Sequence, residues 1–408
     1  MFDASLVTRF RAAYRRPAML CALFLVFICP QTNAGTSDLK LQKALVERAA
    51  FGADQIAALE RGEPVAKLIP SSDPREVAVC GAVQIPADPE IALKAFQLTL
   101  SLKEKSLLQS GKFTNSPRVE DLASLTLSDG DIADLKTCTV GNCKLKLSQS
   151  MIERFQKNID WTATDYKEQA NHLFRLMMVE YVTAYLQKGD IALIEYADQS
   201  PIVSLAREQE SLLTSLLYVN EMAPEFVRQL KAFPRSAEPI EHSLSWAMIN
   251  FGLKPVFVIT NVATYRSNVD GVPRVLVLSK QIYASHYFDA SLSLTAVIGD
   301  QTRTKSDLLY VNHSRAGALA SSFSKFKHRI VEGRATEDLK GLLGQTRINL
   351  DVVLNNSSPA VQPTLIQRLS ESRVLRIVVL LVLLKMLGSA FYLMFRRKKF
   401  GRALRQEA

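Results

Sequence analysis

The stretch VLVLSKQIYASHYFDASLSLTAVI, residues Val275 to Ile298, decides the fold class. β-Branched, aliphatic and aromatic residues make up most of it, and the run breaks near Asp289. This composition is typical of β-strands. Similar runs precede and follow it, at Pro255 to Arg266 and Leu308 to Asn312, with a turn expected at Gly271 to Pro273. The region therefore predicts an antiparallel meander.

A long amphipathic helix is expected after the meander, over Ala316 to Leu343. Ser314 precedes it and is a suitable N-cap, because its hydroxyl can accept a hydrogen bond from a free backbone N–H group. The apolar residues of this helix share one side: Leu319, Phe323, Phe326, Ile330 and Val331. The pattern predicts an α+β fold in which an antiparallel sheet packs on a long C-terminal helix.

The N-terminal part of this domain, residues 35–143, also mixes strands and helices. Pro64 to Ile69 and Glu76 to Ile85 are expected strands. Ala87-Asp88-Pro89-Glu90 is a good helix start, because Asp can cap the helix and Pro fits its first turn. A short extended piece is expected at Gly111 to Phe113, and a Ser-capped helix at Ser128 to Lys136.

Residues 144–250 are expected to form a helical insertion. Its clearest helix runs from Asp165 to Gln187 and ends at Gly189. The apolar residues of this helix recur at helical spacing, at Leu173, Phe174, Met177, Met178, Tyr181, Val182 and Tyr185. Such a stripe is typical of a core-facing helix and carries no cofactor motif.

The order of elements resembles that of START-type helix-grip domains. The strand that ends in Ile85-Pro86-Ala87-Asp88-Pro89-Glu90, followed by a helix, is similar to their opening. The meander and the long helix are similar to the C-terminal part of those domains. The resemblance covers about residues 64–113 and 254–345, and segment 144–250 departs from it. It implies a curved sheet around the helix, in residues 251–350, and an apolar cavity between them.

Two shorter blocks resemble bacterial envelope proteins of unknown function. They are Cys138-x4-Cys143-Lys-Leu-Lys-Leu and Ser279-Lys-Gln-Ile-Tyr-Ala-Ser-His-Tyr-Phe-Asp-Ala-Ser291. This resemblance implies no activity.

Both ends of the chain carry membrane signals. Residues 1–34 combine a basic region with a short apolar run, as in a signal peptide; the alternative is an uncleaved anchor. Ile377 to Phe395 would span roughly 28 Å as a helix, close to the hydrocarbon thickness of a bilayer. We therefore expect a linker at 351–372, a transmembrane helix at 373–395 and a basic tail at 396–408. The positive-inside tendency then predicts a bacterial inner-membrane protein with a periplasmic domain and a cytoplasmic C-terminus.

The formal net charge of +10 is concentrated in the two ends of the chain, so residues 35–372 are almost neutral. This distribution gives no support for nucleic-acid binding. Lys385 lies near the middle of the expected span, where a charge costs about 2.5–3.5 kcal/mol on insertion scales. It is either tolerated there by snorkelling or paired with an acidic group of a partner helix.

Cysteine usage fits an exported protein. Cys138 and Cys143 flank the turn-forming stretch Thr-Val-Gly-Asn and are candidates for a disulfide in an oxidising compartment. Cys80 lies in an apolar strand-like run and is expected to be a buried free thiol. No histidine neighbours these cysteines, so the sequence predicts no metal site.

Catalytic motifs such as His-Glu-x-x-His, a P-loop or Gly-x-Ser-x-Gly are not found in the sequence. Strand alternation places Tyr283, Ser285, Tyr287 and Asp289 on one face and His286 on the other, which disfavours a local hydrolytic triad. These polar groups would either form one wet face and a bend or lie at the mouth of a ligand cavity. The candidate ligand-binding residues are Tyr283, His286, Tyr287, Asp289, Phe323 and Ile330.

The sequence thus favours a membrane-anchored periplasmic domain that binds a lipid or another apolar ligand without a cofactor. A non-enzymatic envelope assembly factor, meeting a protein partner through Lys385 or the helical insertion, is the alternative. A hydrolase that uses the region of His286 and Asp289 is a third reading.

Overall fold

The computed structural model describes residues 51–102, 107–216, 219, 223–235, 240–250, 254–320 and 324–356, without the side chains of Ser101, 324–330 and Asn356. Eight antiparallel strands form the main sheet, in the order β1-β2-β10-β9-β8-β7-β6-β3. The predicted α+β class with a large antiparallel sheet is confirmed. These strands are β1 (Val65–Ile69), β2 (Glu76–Ile85), β3 (Leu107–Lys112), β6 (Ile240–Ile249), β7 (Val256–Val269), β8 (Val272–Ala284), β9 (Ala290–Gly299) and β10 (Ser306–Arg315).

Strands β7 and β8 are joined by a two-residue turn. Asp270 and Gly271 have φ values of 53° and 84°, and Val269 lies opposite Val272. Positive φ at both central residues is the geometry of a type I′ hairpin, which Asp-Gly favours. The turn therefore begins one residue before the expected position, and Pro273 lies inside β8.

Two helices cover one face of the sheet, called here the inner face. They are α2 (Pro89–Leu102) and α8 (Ser324–Asn356), and α8 packs on α2, β2 and β1. Gly81 of β2 allows this close approach, because a Cβ atom there would lie 2.7 Å from Leu343 Cδ1. Val79, Phe96 and Leu343 are buried in the inner-face core. Burial of such side chains contributes about 1.5–3 kcal/mol each.

The remaining helices pack on the outer face. They are α1 (Ala53–Glu60), α3 (Asp129–Lys136), α4 (Gln149–Asn158), α5 (Tyr166–Lys188), α6 (Leu205–Ser215) and α7 (Pro224–Ala232), with a small hairpin of β4 (Glu195–Tyr196) and β5 (Val203–Ser204). The apolar stripe of α5 is buried here, as its spacing predicts. Phe174 contacts Phe257 of β7 with ring centroids 5.5 Å apart. The outer face is thus filled by aromatic and aliphatic side chains.

Strand β6 lies within the residues expected to be a helical insertion. Its outward side chains alternate regularly, with Leu244, Trp246 and Met248 in the outer-face core. Ser245 and Ala247 separate them, so the strand alternation was present; the inner face of β6 is polar at Ser243 and Ser245 and apolar at Ala247 and Ile249. The insertion between β3 and β6 therefore ends before Ile240.

The expected helix start at Ser314 and Ala316 is wrong. Ser314 pairs with Val77 of β2 and Ser291 of β9 inside the sheet, and its hydroxyl donates to Asn312 Oδ1. A short 3-10 helix, Gly317–Ala320, follows β10, and α8 then extends to Asn356, into the expected linker. Pairing on both sides of β10 holds Ser314 in the sheet.

Within the described ranges, no helix has the length and apolarity needed to cross a membrane. The expected signal peptide at 1–34, the transmembrane helix at 373–395 with Lys385, and the tail at 396–408 lie outside those ranges. Their assignment stays a prediction from the sequence.

Candidate functional site

A cleft of about 570 Å³, called here the end cleft, lies beside the bend between β8 and β9. One wall is the loop closed by the disulfide between Cys138 and Cys143. Gly141 and Cys143 hold this loop in place, since their N–H groups donate to the carbonyls of Ala197 and Asp198. Polar side chains from both sides line the cleft, among them Arg75, Lys144, Lys146, Asp198, Lys254, His286, Tyr287 and Asp289.

The bend itself begins after Ala284, where β8 ends. Tyr287 has a φ of 60°, in the left-handed region, so strict strand alternation does not hold here. His286 points to the outer face, with Nδ1 2.9 Å from the carbonyl oxygen of Lys144 and Nε2 3.1 Å from Asp131 Oδ1. Each ring nitrogen of His286 thus faces one oxygen atom. His286 therefore joins the bend to the disulfide loop and to α3.

Asp131 is the buried acidic partner of this histidine. Burial by itself would raise the pKa of Asp131, but the hydrogen bond from His286 and the charges of His286 and Lys254 outweigh burial and lower it. The carboxylate is thus held in its charged form, as expected for a buried ion pair.

Lys146 lies at the floor of the end cleft. Its ammonium is 2.9 Å from Asp289 Oδ1 and 3.8 Å from Asp198 Oδ2, and it lies 4.6 Å from the centre of the Tyr196 ring. Burial raises the pKa of Asp198, and the nearby charge of Lys146 offsets this only in part. Lys146 thus bridges the insertion and the first residues before β9.

Further ion pairs extend this network along β2 and β10. Arg75 contacts Asp73 and Glu208, and Arg315 contacts Glu76 and Glu208. Lys144 contacts Asp134, and Lys254 contacts Asp131 and Asp134. Each lysine and arginine side chain that lines the end cleft therefore contacts a carboxylate of a described residue. We interpret the end cleft as an ion-pair junction between insertion and sheet, because the charges there already neutralise one another.

The other predicted ligand-binding residues lie apart from the end cleft. Tyr283 is fully buried on the outer face, where its hydroxyl donates to the carbonyl oxygen of Lys146 and its ring contacts Phe257. A bulge at Ile282 puts Tyr283 on that face, which alternation could not predict. Phe323 and the side chain of Ile330 lie outside the described residues.

A second polar feature lies on the inner face, across the middle of the sheet. We call it the inner band; its members are Ser245, Thr260, Ser279, Gln281 and Thr295. Ser245 lies opposite Thr260, and Thr260 opposite Gln281, so these three form one row across β6, β7 and β8. Thr295 of β9 lies opposite Val277, the next inner-face residue of β8 before Ser279. All five side chains are buried.

The polar side-chain atoms of the inner band have no hydrogen-bond partner among the described residues. Native proteins pair nearly all buried polar groups, and each unpaired one costs about 1–3 kcal/mol. The neighbouring Ser291, Asn312 and Ser314 follow that rule, because they bond to one another at 2.8–3.3 Å. The inner band therefore has the hydrogen-bonding capacity for waters or a ligand.

Apolar side chains flank the inner band along the strands. Val258 and Ala284 lie on one side, and Val262 and Val277 lie on the other; all four belong to the inner-face core. Local sequence patterns do not reveal this site, because it forms only when separate strands pair side by side. The signal was the run of small polar residues at alternate positions, as in Ser279 and Gln281.

No family model, curated protein or solved structure matches the chain.

Proposed function

We propose that this chain is a ligand-binding protein of the bacterial envelope, with a helix-grip-type domain that holds a lipid or another largely apolar molecule. The ligand lies on the inner face of the sheet, against strands β6 to β9. The domain works by binding rather than catalysis, and it requires no cofactor.

The arrangement of elements supports this architecture. Strand β2 leads into α2, the meander follows, and the long α8 returns to the same face of the sheet. This is the order that the resemblance to helix-grip domains predicts. Because α8 packs mainly on the α2, β2 and β1 side, the inner face of β6 to β8 is where a ligand would be accommodated.

The inner band is the observation that carries the proposal. Hydroxyl and amide groups such as those of Thr260 and Gln281 are buried without partners, between apolar neighbours. A binding site with apolar walls and a few convergent polar groups is the usual design for small-molecule recognition. A bound ligand supplies the missing hydrogen bonds and offsets the free energy lost in burying these groups.

The proposed location follows from the sequence ends. A signal peptide exports the domain, and the C-terminal helix anchors it in the inner membrane. The disulfide between Cys138 and Cys143 is compatible with an oxidising compartment. A lipid ligand would then be available from the same membrane.

Native mass spectrometry of the full-length protein, extracted in mild detergent, tests the proposal. We expect a bound small molecule that is released on denaturation and partitions into organic solvent. The protein stripped of it should take up lipid again from vesicles. A protein that carries no such mass and takes up no lipid would contradict ligand binding.

A role in envelope assembly is the second candidate. The helical insertion is where the sequence analysis expects a partner, and its layer on the outer face exposes the aliphatic side chains of Ile191 and Ile202. Photocrosslinking from these two positions in intact cells would then yield a discrete protein adduct, whereas a ligand-binding protein without a partner would yield none.

A further inference from the structure

We propose that the ligand is uncharged and carries its hydrogen-bonding groups, such as hydroxyl, ester or amide groups, between two apolar parts. This inference rests on the proposed ligand-binding function and specifies its ligand class. The inner band recognises the polar middle of the molecule, and the apolar side chains on both sides contact its ends.

The absence of charge follows from the side chains of the inner band. Four of them carry hydroxyl groups and Gln281 carries a carboxamide. On the described inner face, Arg266 lies at the exposed end of β7, where it pairs with Glu90 and Glu241. A phosphate or carboxylate beside Thr260 would therefore be buried without a described counter-ion, which is costly.

The central position of the polar groups follows from the register. The inner band crosses from β6 to β9, which is roughly 14 Å at the usual spacing between strands. Val258 precedes Thr260 and Val262 follows it on the same face of β7. A ligand whose polar groups lie where two apolar chains join can place those groups on the inner band and one chain along each of these apolar flanks.

The donor and acceptor inventory also favours neutral oxygen-containing groups. Each hydroxyl, such as that of Thr260, offers one donor and accepts up to two hydrogen bonds, and the Gln281 amide offers two donors and one acceptor. Ester carbonyls accept from these donors, and a ligand hydroxyl can both donate and accept. Both atoms of the Gln281 amide are unpaired, so Gln281 is the centre of the proposed recognition.

The test compares two lipids that share their apolar parts. The probes are 1,2-dioleoylglycerol, which is neutral, and 1,2-dioleoyl phosphatidate, which adds a phosphate. Binding to the delipidated full-length protein is measured by native mass spectrometry. We expect wild-type protein to bind dioleoylglycerol at least about tenfold more tightly than the phosphatidate.

Variants locate the site. The double variant Thr260→Val, Gln281→Leu keeps the shape of the band but removes its hydrogen-bonding groups. We expect it to lose about tenfold or more in affinity for dioleoylglycerol. Ser314→Ala is the matched control, because its buried hydroxyl lies on the same face and is already paired. It should keep the wild-type affinity.

A second readout separates a ligand from trapped water. If the Thr260 hydroxyl is unpaired in the empty protein, Thr260→Val should raise the midpoint of thermal unfolding without lipid and reduce the shift that dioleoylglycerol produces. A lower midpoint without lipid and an unchanged shift would overturn the proposal, because the hydroxyl would then be satisfied by water.

The outcomes distinguish a failure of the proposed ligand-binding function from a failure of the proposed ligand class. If wild-type protein carries no co-purified apolar molecule and binds neither lipid, the proposed function itself fails. If it carries such a molecule but binds neither probe, the ligand class assigned here is wrong. If phosphatidate binds as tightly as dioleoylglycerol, or the double variant binds like wild type, the ligand class assigned here is wrong while ligand binding stands.

Discussion

The ammonium of Lys146 lies 2.9 Å from a carboxylate oxygen of Asp289, and both side chains are buried. Lys146 follows the disulfide loop, and Asp289 stands directly before β9, so the pair joins the insertion to the main sheet. Asp289 also lies 3.7 Å from Arg75. The pair therefore belongs to a connected set of buried charges, where removal of one member leaves others without a partner.

Lys146→Met should destabilise the protein by about 3–5 kcal/mol, because it leaves the carboxylates of Asp198 and Asp289 buried without their cation. The measurement is urea unfolding of the purified protein. Lys144→Met is the control, since Lys144 is 74% exposed and pairs only at the surface. Its effect should stay within about 1 kcal/mol. Equal losses for both variants would refute the buried role of Lys146.

Gly81→Ala should destabilise the protein by about 1–3 kcal/mol through overpacking. The new Cβ atom would lie 2.7 Å from Leu343 Cδ1 and 2.9 Å from the carbonyl oxygen of Val65. Gly341→Ala in α8 is the control, because open space surrounds that position and alanine favours helix. It should stabilise by up to about 1 kcal/mol. A neutral Gly81→Ala would show that α8 does not pack closely on β2.

Stability should fall as the pH drops below about 4, partly through Asp131. The pKa of Asp131 is lowered in the folded protein despite its burial, because His286 and Lys254 favour the carboxylate. A group with a lowered folded pKa stabilises the protein above its unfolded pKa, near 3.9, and this contribution is lost as the pH falls through the folded value.

Unfolding free energies measured from pH 7 to pH 3 test this point. Asp131→Asn should be less stable than wild type at pH 7, and the difference should shrink towards pH 3. Asp129→Asn, at an exposed neighbouring position, should differ little from wild type at neutral pH. A constant difference between wild type and Asp131→Asn would contradict the assignment.

Local sequence patterns predicted two kinds of element: those whose two faces differ in polarity, and those with a capping or turn residue at an end. The meander, the start of α2 and the buried stripe of α5 are such cases. Strand β6 was missed because Ser243 and Ser245 make half of its inner face polar, although Ser245 is buried. The bulge at Ile282 likewise changes which face Tyr283 occupies.

The candidate sites could be predicted only in part, because their contacts join distant residues. His286 and Asp131 are 155 residues apart, and no local spacing relates them. The inner band depends on the register of four strands, which places Ser245, Thr260 and Gln281 in one row. The sequence shows that these residues are polar. Only the folded structure shows that their side chains are buried without a hydrogen-bond partner among the described residues.

Cys80 should resist alkylation in the folded protein. It is fully buried, and burial raises the pKa of its thiol to about 12, so little reactive thiolate is present. Treatment of the mature, non-reduced protein with iodoacetamide should leave it unmodified, and treatment in guanidinium should modify Cys80 alone. Modification of Cys138 or Cys143 without reduction would contradict the disulfide, and rapid native labelling of Cys80 would contradict its burial.

The proposed topology places Asn356 and Ala408 on opposite sides of the membrane. A reporter active only in the periplasm should work when it is fused after Asn356, where α8 ends and the expected membrane helix has not begun. A reporter active only in the cytoplasm should work when it is fused after Ala408, beyond the basic tail. Fusion after Leu350 is less suitable, because Leu350 is buried within α8.

Charge reversal in the tail provides the control for this topology. Replacing Arg396, Arg397, Lys398 and Lys399 with glutamate removes the positive flank while the apolar segment stays intact. If the positive-inside tendency sets the orientation, this variant should lose part of the cytoplasmic signal at Ala408. If the wild-type fusions instead show cytoplasmic activity after Asn356, export is excluded. An inner-membrane lipid could then reach the inner band only from the cytoplasmic leaflet.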